Sequence, residues 1–244
     1  MFHLSKPLDS SGLFRGLTDW HSHVLPGVDD GVQTLEESLA VLTWYEQLGI
    51  SELWLTPHVM EDIPNQSADL RRRFHELCEA WHGSVTLHLA AEYMIDNLFD
   101  QRLAASDLLP LGDDSHLLVE TSYFNPPMQF HQRLERLQDA GYTPVLAHPE
   151  RYVYMESDDY RRLLDMGILF QLNLPSLTGM YGRMAKKKAE QLLAEGCYTL
   201  LGTDIHSLAV HREQLHQRVS RKHVALSSEV LRSQHLLSSP PLIE

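Results

Sequence analysis

Apolar residues in this chain gather into short, nearly unbroken runs separated by amphipathic stretches, and the alternation repeats seven times. Residues 17–23, 50–56, 85–91 and 117–119 read as the first four strands, and 143–147, 168–172 and 198–202 as the last three. Runs this apolar suit strands covered on both faces. The segments between them carry helical spacing. Thr34-Leu35-Glu36-Glu37 is a capping-box pattern; Leu39, Val41, Leu42, Tyr45 and Leu48 then give an apolar side, and Gly49 stops the helix. Further helices are expected over about 69–81, 94–104, 125–140, 158–166 and 183–194, with one or two closing the chain. Residues 1–16 read as an irregular lead-in and about 238–244, with Ser238-Ser239-Pro240-Pro241, as a frayed tail. Seven strand-then-helix units with no break in composition predict an α/β fold, one domain over 1–244 built as a single distorted (β/α)7 TIM-like barrel.

Composition narrows the partners. A hydrophobic content of 43% in 244 residues allows a large buried core, while a formal net charge of -13 speaks against nucleic acid. Arg71-Arg72-Arg73 and Lys186-Lys187-Lys188 read as solvated helix faces. No apolar run reaches transmembrane length, and Met1-Phe2-His3-Leu4-Ser5-Lys6-Pro7 lacks the apolar core of a signal peptide. No membrane insertion and a cytoplasmic location are therefore expected. Cys78 and Cys197 suggest a reducing compartment and no disulfide framework. A cysteine-based tyrosine phosphatase needs an arginine six positions after its thiolate, where this chain has Ser84 and Thr203. That mechanism is excluded, and both cysteines read as packing residues.

The chemistry sits where the strands end. In a parallel barrel the active site lies at the carboxyl ends of the strands. There the sequence places His21 and His23, then His58, Glu92, Glu120, His148, and finally Asp204 and His206. His21 and His23 are two apart, so on a strand they share a face. After the turn at Pro26-Gly27, Asp29-Asp30 returns a carboxylate to the same place; either is the ligand, the other a turn former. With Asp30, nine candidate ligands converge. The other histidines, His211 among them, read as surface or core groups. Imidazoles and carboxylates without a thiolate suit Zn, Mn or Fe. A phosphate needs one more fixed cation, and Arg151 is well placed, the plainer alternative being a rim salt bridge with Glu150.

Taken together, D-x-H-x-H with P-G-x-D-D-G (19–31), T-P-H (56–58), A-E-Y (91–93), V-E-T (119–121), A-H-P-E-R-Y (147–152), Q-L-N (171–173) and T-D-I-H (203–206) resemble the polymerase-and-histidinol-phosphatase superfamily, in its bacterial tyrosine-phosphatase branch. The resemblance implies a distorted barrel (the PHP fold) holding three divalent ions, Mn, Fe or Zn. It implies one ion on His21, His23, Glu92 and Asp204, a second on Asp30, His58 and His206, and a third on Glu120, His148 and a bridging Glu92. The implied activity is phosphomonoester hydrolysis by a metal-activated hydroxide. The implied substrate is the phosphotyrosine tail of a bacterial tyrosine kinase that controls capsule or exopolysaccharide synthesis. Arg151 matches the family's phosphate-binding arginine. Its second arginine, in an R-P-P context, has no direct counterpart; Arg212 replaces it, or His211 does, or neither. The segment 173–182 is expected either to border the substrate cleft or to be a helix-entry turn. A small-molecule phosphatase of the histidinol-phosphate kind and a metal-holding scaffold remain the alternatives.

Overall fold

The computed structural model describes residues 5–112 and 115–234; His3, His235 and the expected tail lie outside them. Strands β2 (Thr18–Asp19), β3 (Glu52–Leu55) and β5 (Thr86–Leu89) form one parallel sheet in the order β2-β3-β5. Strands β4 (His58–Val59), β6 (Glu92–Met94), β7 (His116–Glu120), β8 (Thr143–Ala147), β9 (Leu169–Asn173) and β10 (Leu200–Gly202) form a second, curled parallel sheet. The expected second and third strands are thus each split. Pro57 has no N–H to give the ladder, and the third strand breaks at Ala90-Ala91. Bonds from Ala90 N–H to Leu55 O (2.9 Å) and from Glu92 N–H to Pro57 O (3.1 Å) carry the chain across both breaks. At the far edge, Trp20 N–H donates to Leu201 O (3.1 Å), His23 N–H to Ile205 O (3.0 Å) and Asp204 N–H to His21 O (2.8 Å).

Alternation along the strands divides the apolar residues into two clusters. Trp20, Trp54, Leu118, Val145, Ala147 and Leu200 meet one another, with Trp20 and Trp54 stacked at 5.5 Å. Their neighbours Leu117, Val119, Leu146 and Leu201 face the helices instead. Burial on both faces explains why these strands read as continuous apolar runs.

The helices are α1 (Leu35–Leu48), α2 (Ser67–Ala80), α3 (Phe99–Ala105), α4 (Phe130–Asp139), α5 (Ser157–Asp165), α6 (Gly182–Ala194), α7 (Leu208–Leu215) and α8 (Arg221–Gln234). Helix α1 keeps its capping box: Glu37 N–H donates to Thr34 Oγ1 (3.2 Å), Thr34 N–H to Glu37 Oε2 (3.3 Å). Gly49 closes it with φ 89°. None of the described helices is long and apolar enough to cross a membrane.

Three further expectations change. Part of the lead-in is ordered, since β1 (Ser5–Pro7) pairs antiparallel with β11 (Arg218–Ser220). Helix α3 starts late because Ile95 N–H still bonds Glu120 O (2.9 Å) and Asp96 Oδ1 then accepts Leu98 N–H (2.9 Å), a local turn competing with the helix. Helix α4 begins at Phe130, not at Asn125: a residue before proline avoids the helical region, and Gln129 adopts a left-handed φ of 57°.

Candidate metal centre

The residues expected at the strand ends do meet. His21 Nε2 lies 3.1 Å from His23 Nε2, 3.3 Å from Glu92 Oε2 and 3.5 Å from Asp204 Oδ1. His23 Nε2 is 3.4 Å from Glu92 Oε2 and 3.3 Å from Asp204 Oδ1. Two ligands of one ion, each about 2.1 Å from it, stand roughly 3 to 3.5 Å apart. Beside this group, Asp30 Oδ1 is 3.5 Å from both His58 Nε2 and His206 Nε2. On the other side, His58 Nδ1 is 3.0 Å from Glu92 Oε2 and from Glu120 Oε1. His148 Nε2 is 3.0 Å from Glu92 Oε1 and 4.0 Å from Glu120 Oε2. Glu92 is central, facing four imidazoles. His58 faces two groups, a sharing that the resemblance does not imply.

The donors fit divalent cations. Glu92 Oε2, Glu120 Oε1, His58 Nδ1 and His148 Nδ1 are buried, and they find no hydrogen-bond partner among the described residues. Polar atoms left so in a protein interior are costly unless an ion or water satisfies them. Burial pushes Glu92 upward, but the charges of His21 and His58 and the hydrogen bond from His148 outweigh it, holding the carboxyl well below the usual range. His148 goes the other way, lowered to about 4 by burial and by Arg151, so its imidazole stays neutral and able to donate a lone pair.

Outer partners fix which nitrogen faces inward. His23 Nδ1 is 2.7 Å from Asp29 Oδ2, which also accepts His58 N–H (3.0 Å), while Asp29 Oδ1 accepts Gly31 N–H (3.0 Å). Burial raises the Asp29 carboxyl, yet the His23 charge and these hydrogen bonds hold it below the usual range. Asp29 is therefore the turn former that also orients His23, and the 68% exposed Asp30 side chain is the one facing His58 and His206. His21 Nδ1 pairs with Gln171 Oε1 at 2.8 Å, and His206 Nδ1 with Asp204 O at 3.0 Å. Room for this packing depends on two glycines: a Cβ at Gly31 would lie 2.3 Å from His23 O, and one at Gly202 2.6 Å from His21 Cβ. His148 (φ 35°) and Asp204 (φ 54°) both sit in the left-handed region, which non-glycine residues adopt uncommonly.

Arg151 is not paired with Glu150. Its Nη1 donates to Asp204 Oδ2 at 2.6 Å, and its guanidinium carbon lies over the rings of Tyr123 (4.4 Å) and Tyr181 (4.1 Å). Asn173 Nδ2 donates to the same Asp204 oxygen (2.8 Å) and to Tyr181 Oη (3.2 Å). A cleft of about 370 Å³ opens here, lined by Asp30, His58, His148, Arg151, Asp204 and His206 among others. Arg212 lies elsewhere: it packs on the Trp44 ring at 5.4 Å and lines an adjoining cleft that shares Asp30, His206 and Ser207 with the first. His211 is buried against Thr203 O and lowered to about 4 by burial, so it supplies no cation near neutral pH. The segment 173–182 fulfils both expectations, with a short 3-10 turn (Leu174–Thr178) leading into α6 and Met180 and Tyr181 lining the cleft. Gln171 and Asn173 entered the sequence reading only as part of the Q-L-N word, with no role given to either, and Tyr123 and Tyr181 were not singled out; polar Gln171 and Asn173 inside an apolar strand were the available signal.

Glu150 is instead buried beneath the site, where Oε1 accepts Ser176 Oγ–H (2.7 Å) and Asn173 N–H (3.1 Å) and Oε2 accepts Tyr198 Oη–H (3.0 Å). Burial pushes its carboxyl up to about 7 despite those hydrogen bonds. A carboxyl raised in the folded chain gives stability that is present below its unfolded pKa and lost as pH rises through the folded one. Glu150→Gln, which cannot ionise, is expected to gain about 2–3 kcal/mol on the parent chain between about pH 4 and about pH 8. Urea midpoints at both pH values check this; a constant difference would mean that Glu150 does not titrate there.

The chain matches known proteins along most of its length. Residues 17–231 fit the family model described as "Capsular polysaccharide synthesis, CpsB/CapC". The tyrosine-protein phosphatase CpsB of Streptococcus pneumoniae is 27% identical over 231 residues, covering 88% of this chain and 94% of the relative. The tyrosine-protein phosphatase YwqE of Bacillus subtilis is 28% identical over 198 residues, covering 79% and 78%. A crystal structure from a study of YwqE and CpsB, described there as "unique metal-dependent tyrosine phosphatases", superposes with a TM-score of 0.79 at 24% identity, covering 91% of this chain and 94% of that one. The strand-end cluster thus lies inside the matched region, and the chain belongs to the CpsB/CapC family of capsular polysaccharide synthesis.

Proposed function

We propose that this chain is a metal-dependent phosphomonoester hydrolase that removes phosphate from protein tyrosine. The observation that carries the reading is the meeting of nine imidazole and carboxylate side chains beside a single aromatic-stacked arginine at one cleft. The names of the relatives support the substrate class. Within that class, the phosphotyrosine tail of a kinase controlling capsule or exopolysaccharide synthesis, met in the cytoplasm, is the proposed partner. We read the two parallel sheets as arcs of one distorted seven-stranded barrel in one domain, supported by the bonds from Trp20, His23 and Asp204 that bring the end of β2 against the end of β10.

His21, His23, Glu92 and Asp204 would hold one ion, and Asp30, His58 and His206 a second. Glu120, His148 and the other oxygen of Glu92 would hold a third; Mn, Fe or Zn suits this donor set. Bound divalent ions supply such a site with acidified water and with charge to match the phosphoryl oxygens. The chain's own part is to aim the donors and exclude competing orientations. Asp29 and Gln171 turn His23 and His21 inward, and Asn173 with Tyr181 holds Asp204. Arg151, kept charged because Asp204 and the flanking tyrosines outweigh the burial that would lower it, would orient the phosphate. Arg212, reaching the adjoining cleft, is placed to offer a second cation to an anionic substrate.

Metal removal tests the reading. Stripped protein is expected to lose at least about 10³-fold of its turnover of p-nitrophenyl phosphate and a phosphotyrosine peptide. Mn, Fe or Zn should restore it, and thiol alkylation should not matter, since burial raises both cysteine thiols. Turnover that survives stripping would overturn the proposal, and bound metal with no turnover of either substrate would favour the scaffold.

A further inference from the structure

We propose that Tyr123, Met180, Tyr181 and Val210 form the wall on which the aromatic ring of an aryl phosphate lies, so that the cleft itself selects aryl over alkyl phosphoesters. The inference rests on the phosphatase reading above and adds its specificity determinant. The cleft of about 370 Å³ is lined both by members of the metal centre, Asp30, His58, His148, Asp204 and His206, and by these four side chains. The two tyrosines are ordered in advance. The Arg151 guanidinium carbon lies over both rings, at 4.4 Å and 4.1 Å from their centroids. Tyr181 Oη is held by Asn173, and the Tyr123 carbonyl accepts Val153 N–H at 2.8 Å. Val210 comes from α7 and is left 46% exposed at the cleft, although it is aliphatic.

Arg151 marks the place of the phosphate, so the first atoms of the esterified alcohol must leave the guanidinium past its aromatic flanks. A phenyl ring there covers apolar surface that a short polar alkyl group leaves wet, and pre-ordered walls lose little entropy on binding. A contact of this size changes discrimination by roughly tenfold.

The test is a Met180→Ser, Val210→Ser double variant loaded with the ion that gives activity. Neither residue is fully buried, so the fold is not at stake. The quantity to measure is kcat/KM for phenyl phosphate divided by that for glycerol 2-phosphate, in which leaving-group reactivity cancels between variant and parent. The ratio is expected to fall about tenfold, chiefly through KM for phenyl phosphate. Inhibition constants for phenylphosphonate and methylphosphonate give the same comparison without chemistry, and the preference for the phenyl compound should shrink in parallel. An unchanged ratio and unchanged preference in an active double variant would overturn the inference alone. Failure of the parent chain to hydrolyse either ester with any ion would overturn the phosphatase reading and this inference with it.

Discussion

Glu92→Gln is expected to lower kcat/KM by about 10³-fold or more, a larger loss than any single histidine-to-alanine change in the cluster. The reason is position. Glu92 Oε2 is within 3.4 Å of His21, His23 and His58 nitrogens, and Oε1 is 3.0 Å from His148. Each of these imidazoles makes one of the four contacts, whereas Glu92 makes all four. An amide keeps the shape but removes the negative charge and one acceptor atom, so two neighbouring cations would lose a shared ligand at once. It would also aim an N–H where a lone pair is needed. The measurement pairs activity with metal content by mass spectrometry. A loss near 10³-fold with fewer bound ions is the expected result. Equal losses for Glu92→Gln and for His21, His58 or His148→Ala would count against a shared carboxylate.

How far the sequence foretold this arrangement depends on what each residue needs. His58, Glu120 and His148 stand out along the chain because each is a polar group at the edge of an apolar run. Their meeting follows from parallel strands whose ends lie on one side of the sheet. Gln171 is different. It carries the orientation of His21 across 150 positions of sequence, and only the pairing of distant strands reveals it. Tyr123 and Tyr181 are also silent in sequence, since an aromatic residue in a loop gains its role only when Arg151 lies over both rings. Asp29 and Asp30 are adjacent and chemically alike, and only the turn geometry sends one to His23 and the other to His58. The strand breaks at Pro57 and Ala90-Ala91 moved His58 and Glu92 to the starts of β4 and β6, where burial of the expected strands alone gave no warning.

Arg151→Ala is expected to cost about 10² to 10³-fold in kcat/KM while leaving the metal content unchanged. The guanidinium is 2.6 Å from Asp204 Oδ2, so the variant removes one partner of a candidate ligand. Asp204 nevertheless keeps Asn173 Nδ2 at 2.8 Å on that oxygen and Tyr181 Oη at 3.4 Å, while its Oδ1 remains the atom facing His21, His23 and His206. Its carboxyl also stays well below the usual range; burial raises it, but His21, His23 and His206 lower it before Arg151 does. On this reading the arginine would be dispensable for ion binding and needed for the anion. Arg151→Lys should recover little, because an ammonium has neither the planar fork for two phosphoryl oxygens nor the flat group that lies over Tyr123 and Tyr181. Inorganic phosphate provides a second readout, as its inhibition constant should rise about tenfold or more in both variants. Ions lost from Arg151→Ala would show instead that the arginine braces Asp204, making it a structural member of the metal centre and leaving the phosphate to be gripped from the Arg212 side of the cleft.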